Sequence, residues 1–179
     1  MRNKIALTIS LVGLIVLIAT CVLTSSKGRL SGTTLESREA ILQSQPGQYP
    51  WKILDEQVVD GYLVCSMRED PEIGIQDNEI GIAIFEILED GKHSFVTWAK
   101  RESEEIVFSH VRFHENEYVL IFADIPSPSH AEVTFIRDDT VLESKTHELT
   151  ENRVLVLPRP EDPLTVTAIY YDINGNKYE

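Results

Sequence analysis

WKILDEQVVDGYLVCSMR, residues 51–68, decides the fold. Two runs rich in Val, Ile, Leu and Tyr flank Asp60-Gly61, a pair that supplies the positive φ a tight hairpin demands. Cys65 shares one face of the second run with Leu63 and Met67, so it reads as a core residue. The same arrangement recurs along the chain. Asp90-Gly91 separates IGIAIFEILE from HSFVTWAKR, and Glu115-Asn116 separates EEIVFSHVRF from EYVLIFADI. Asp138-Asp139 separates AEVTFIR from TVLESK, and Asn174-Gly175 closes LTVTAIYYD. Hairpins in series predict a mainly β protein built from an antiparallel meander, forming a sandwich or two small β-subdomains, with no parallel βαβ units. The expected core includes Trp51, Leu63, Cys65, Ile82, Ile84, Phe95, Val107, Val111, Phe113, Leu120, Phe122, Val133, Phe135, Leu155, Val166 and Ala168.

Ahead of the hairpins stands IALTISLVGLIVLIATCVL, residues 5–23, without a charge. As a helix at about 1.5 Å per residue it reaches roughly 28 Å, close to the hydrocarbon thickness of a bilayer. The run exceeds the apolar core of a cleaved signal peptide, about 7–15 residues. The preferred reading is a retained transmembrane anchor behind a cytoplasmic tail, residues 1–4, which holds Arg2 and Lys4. The alternative is a lipoprotein: Leu17-Ile18-Ala19-Thr20-Cys21 resembles a bacterial lipobox, which would make Cys21 the lipidated residue. Thr20 departs from the usual small residue, and Val22-Leu23 carry the apolar run past the cysteine. Plain secretion is the third reading.

Residues 24–48 read as a tether with a short amphipathic helix near 36–43. TSSKGRLSG is small and polar, and Thr33-Thr34-Leu35-Glu36 has the form of a capping box. Residues 49–124 form the first β-hairpin region. In IPSPSH, residues 125–130, Pro126 and Pro128 cannot both occupy a central strand, so a C-terminal Ig-like β region over 125–179 is expected to begin there.

The series KILDEQVVDGYLVCSM, EDGKHSFVTWAKR, YVLIFADI and VTAIYYDINGNKYE resembles small exported proteins of Bacillus-type Gram-positive bacteria, in which an anchor precedes a β-rich domain. The resemblance covers about residues 50–179. It implies a location, the cell membrane with the C-terminal domain extracytoplasmic, and a fold; such proteins mostly lack an assigned activity.

Charge excludes one class of partner. The chain carries 16 basic and 29 acidic residues, net −13. With Arg2 and Lys4 ahead of the span, the remainder has 14 basic and 29 acidic, net −15. Nucleic acid is not expected, because phosphate binding needs clustered Lys and Arg. Beyond Cys21 the sequence holds one cysteine, Cys65, so the β region has no internal disulfide.

Candidates for chemistry are few. His110 and His114 sit in an alternating run, where four residues span about 13 Å, too far for one metal. They are expected in an outward polar row with Arg112, while Val107, Val111 and Phe113 face the core. His93, His130 and His147 stand near turns. DINGN, residues 172–176, has oxygen ligands but no glutamate at the twelfth position of a calcium loop, so it reads as a turn. REDPEIGIQDNE, residues 68–79, holds Glu69, Asp70, Glu72, Asp77 and Glu79. A solvated acidic loop is the expectation, and acid–base use by convergent carboxylates the alternative. No metal and no cofactor are implied, and no G-x-S-x-G, H-E-x-x-H or P-loop occurs. The preferred role is therefore a binding or regulatory module that contacts another envelope protein. A small envelope hydrolase built on the acidic loop is the alternative.

Overall fold

The computed structural model describes residues 31–45, 50–70, 79–101, 106–159 and 165–178. The proposed span 5–23, Cys21, the tether up to residue 30, Glu72 and Asp77 lie outside the described residues. Among those described, no helix is long and apolar enough to cross a membrane.

The protein is mainly β, in antiparallel sheets, with one helix among the described residues. β1 (Ser31–Gly32) leads into α1 (Leu35–Gln43), then β2 (Trp51–Val59), β3 (Tyr62–Glu69), β4 (Ile80–Ile87) and β5 (His93–Arg101). These strands form one sheet in the order β1-β5-β4-β3-β2. β6 (Ile106–Phe113) and β7 (Asn116–Ala123) form a second sheet with β10 (Leu155–Pro158). The third, in the order β12-β11-β8-β9, joins β8 (Pro128–Arg137), β9 (Thr140–Glu148), β11 (Thr165–Asp172) and β12 (Lys177–Tyr178).

Turn chemistry explains the hairpins. Asp60 and Gly61 take φ of 48° and 77°, and Asp138 and Asp139 take 46° and 60°, the left-handed values of a tight primed turn. The β6–β7 turn falls one residue earlier than Glu115-Asn116: His114 has φ 53°, and Asn116 already belongs to β7. Pro128 is the first residue of β8, where its missing N–H breaks no ladder bond in mid-strand. The helix cap is likewise displaced by one. Thr34, not Thr33, is the N-cap; its hydroxyl accepts from the Ser37 amide, and the Ser37 hydroxyl accepts from the Thr34 amide.

Three apolar layers hold the sheets together. Ile41 and Leu42 of α1 cover one face of the first sheet, over Trp51, Ile53, Leu63, Cys65, Met67, Ala83 and Phe85. Its opposite face, with Val64, Ile80, Ile82 and Ile84, packs on Val107, Phe113, Leu120 and Phe122 of the second sheet. On β7 the alternate residues Val119 and Ile121 point the other way, against Ala131, Val133, Phe135 and Tyr170 of the third sheet. The second sheet is thus buried on both faces, which is why residues 119–122 are apolar without alternation. Val154 joins the middle layer and Leu157 the outer one, so β10 ties segment 125–179 back onto β7.

Of the expected core, Trp51, Leu63, Cys65, Ile82, Ile84, Val107, Phe113, Leu120, Phe122, Val133 and Phe135 are buried. Phe95, Val111, Leu155, Val166 and Ala168 are half-buried at its margins.

Candidate functional site

Among the described residues, no apolar layer covers the outer face of the third sheet. Ala131, Val133 and Phe135 of β8 point inward, so His130, Glu132, Thr134 and Ile136 point out. Register extends each outward residue into a row. Tyr171, His130 and Glu148 lie side by side, as do Ile169, Glu132 and Thr146, and Thr167, Thr134 and Ser144.

Contacts among these side chains order the face. The His130 and Tyr171 rings stack, with centroids 4.6 Å apart and planes 13° from parallel. The Tyr171 hydroxyl donates to Glu132 Oε2 at 3.5 Å, a long contact, and Thr134 and Ser144 hydroxyls bond at 2.9 Å. Glu132, Glu148, Thr146 and Thr167 are exposed. The arrangement offers an aromatic ledge, carboxylates and a hydroxyl ladder. Such groups hydrogen-bond a partner surface and attract cations on it; they do not converge on one atom as a catalytic set must.

The described acids at the two ends of the 68–79 segment are not solvated as expected. Glu69, Asp70 and Glu79 are all buried, Glu79 completely. Lys100 Nζ lies 3.0 Å from Glu79 Oε2, and Lys52 Nζ lies 2.9 Å from Asp70 Oδ2. The Glu69 amide donates to the Glu79 carbonyl, which closes the β3–β4 ladder and draws these carboxylates inward. Ion pairing satisfies Asp70 and Glu79 where they stand, which favours a structural role over acid–base work.

A second charged cluster fastens α1. Arg38 is 4% exposed. Its Nε and Nη2 donate to the Glu56 carboxylate at 2.5–2.8 Å, and Nη1 lies 3.0 Å from His93 Nδ1. Cys65 Sγ sits 3.9 Å from Glu56 Oε1. Burial, and then the Glu56 charge, push the Cys65 thiol far above its ordinary range, so it is not a thiolate nucleophile. Burial, then Arg38, hold His93 below its ordinary value. Sequence reasoning missed this cluster, whose members are scattered over four elements.

The remaining sequence candidates fall apart in space. His110 and Arg112 are exposed, in line with the outward row, but Ile106 and Phe108 on that same face pack against the third core layer. His114 leaves the row for the turn, 5.6 Å from the Tyr62 ring. In the 172–176 turn the Asp172 carboxylate accepts from the Asn174 and Asn176 amides and from Asn176 Nδ2, at 2.6–2.8 Å. Those bonds occupy the oxygens that a calcium ion would need. No cluster of His, Cys, Asp and Glu suited to a metal occurs among the described residues. No family model matches the chain, and neither does any curated protein or solved structure.

Proposed function

We propose that the chain is a single-pass membrane protein whose acidic β-domain stands outside the cytoplasm and binds another protein of the cell envelope. The observation that carries this reading is the open outer face of the third sheet, with its stacked His130–Tyr171 pair and exposed Glu132 and Glu148. The apolar run at 5–23 supports the anchor.

Charge specifies the partner's chemistry. A domain of net −15 beyond the span draws basic surfaces toward it, and the two exposed carboxylates of this face receive Lys or Arg side chains. Attraction of this kind weakens as salt shortens the Debye length.

Crosslinking in intact membranes, followed by capture of the full-length chain, tests the reading. A reproducible protein partner is expected, and Glu132→Lys with Glu148→Lys should abolish its capture. Recovery of the same partner by the charge-reversed chain would move binding off this face, and the absence of any partner would remove the binding role.

A further inference from the structure

Among the described residues, β9 is a nine-residue strand at the edge of the third sheet, paired with β8 on one side. None of its residues enters the apolar layers beneath β8 and β11, and Val141 and Leu142 are 57% and 45% exposed. An edge of this length leaves a row of backbone donors and acceptors free to pair with another strand. The opposite edge, β12, has two residues and offers little.

The charges of β9 select what pairs with it. Glu143 and Lys145 stand two apart, flanking Ser144, on the face that Phe135 and Val133 share. They already form an ion pair within the strand, and Lys145 remains 65% exposed. In an antiparallel pair related by a two-fold axis at Ser144, Glu143 of each copy lies opposite Lys145 of the other. Moving the axis one residue places Glu143 against Glu143, or Lys145 against Lys145, and like charges directly opposite are destabilising. Among axes at residues 143, 144 and 145, the self-complementary pattern therefore favours Ser144.

We propose that β9 pairs antiparallel with β9 of a second copy about an axis at Ser144, joining two four-stranded sheets into one of eight. Because no residue of β9 belongs to an apolar layer, pairing along this edge displaces neither core. Opposite Phe135 and Ile136 the register of β9 skips Leu142, so regular pairing about Ser144 centres on residues 143–145 and the bulge falls toward each end of the new seam. The union also sets two copies of the outer face side by side, though it does not depend on that face having a partner.

Ser144→Cys in the full-length chain tests this directly. Opposite Cα atoms in an antiparallel pair are about 4.5–5.5 Å apart, within disulfide reach. Mild oxidation of cells should give a disulfide dimer well above the background of the unsubstituted chain, and Thr167→Cys, exposed two strands away, should not. Adding Lys145→Glu or Glu143→Lys to the Ser144→Cys chain should abolish the dimer. Combining both reversals in one chain should restore it, as should co-expressing the two singly reversed chains. A Ser144→Cys dimer indifferent to either reversal, or the absence of a dimer above background, would overturn the proposal.

Discussion

Arg38 on α1 and Glu56 on β2 form a buried bidentate ion pair, with Nη2 2.5 and 2.6 Å from the two carboxylate oxygens. The Arg38 side chain is 5% exposed and that of Glu56 28%. Removing one partner strands the other in a dry setting, whereas replacing both with apolar residues of similar size does not. Arg38→Leu should therefore cost roughly 3 kcal/mol, at the low end for a broken buried pair because Glu56 keeps some solvent. Arg38→Leu with Glu56→Leu should cost less than Arg38→Leu alone. Thermal unfolding of the four chains of this cycle measures it, and a double variant no better than the single would deny the pair its buried character.

The same cluster gives a pH dependence. Arg38 Nη1 meets Nδ1 of His93, so His93 is the neutral acceptor there; Glu56 and Cys65 face the cluster from β2 and β3. Its folded pKa lies below the ordinary value, chiefly through burial. The sign follows: the folded state binds fewer protons, so this contribution is present above the unfolded value of about 6.5 and is lost as pH falls below it. Trp51 and Trp98, 5.9 Å apart and close to α1, are the two tryptophans of the chain and report its seating. Their fluorescence should shift on acidification through that window, and His93→Asn, an acceptor that does not titrate, should flatten the response.

Tyr170 carries a buried hydroxyl without a hydrogen-bond partner among the described residues. An unsatisfied polar group of this kind costs about 1–3 kcal/mol. Tyr170→Phe keeps the ring that fills the third core layer and removes the hydroxyl. Stability should be unchanged or higher; a loss of more than about 1 kcal/mol would show that the hydroxyl is bonded.

Asp139 adopts φ 60° in the β8–β9 turn, a conformation that glycine enters without the Cβ penalty. Asp139→Gly should raise stability by up to about 1 kcal/mol and the melting temperature by a few degrees. A lower melting temperature would mean that the Asp139 side chain contributes more than its backbone strain removes.

These features were unequally legible in the sequence. Asp60-Gly61 and Asp138-Asp139 announce their turns because backbone preference is local. The helix cap and the β6–β7 turn came within one residue, since Thr33 or Thr34, and His114 or Asn116, satisfy similar local rules. Long-range pairing was not visible. Glu79 meets Lys100 only after β4 and β5 align, and Asp70 meets Lys52 only after β2 and β3 do, and these acids are then buried partners. Arg38 meets Glu56 and His93 only once α1 seats on the first sheet. The return of β10 to β7 carries no turn motif at all.

Residues 5–23 bear the last prediction. As a retained span they place Cys21 near the outer end of the helix, where it needs no modification. Cys21→Ser should then leave membrane attachment intact, because a long apolar helix anchors far more strongly than one polar exchange weakens it. The wild-type chain extracted from membranes should have the mass of the full sequence, Arg2 and Lys4 included. A diacylglyceryl group on Cys21 in that measurement would replace the span with a lipid anchor, and Cys21→Ser would then block processing. In either case, protease added to cells stripped of their wall should digest the acidic domain. Protection of that domain would place everything beyond residue 23 in the cytoplasm and end the extracytoplasmic reading.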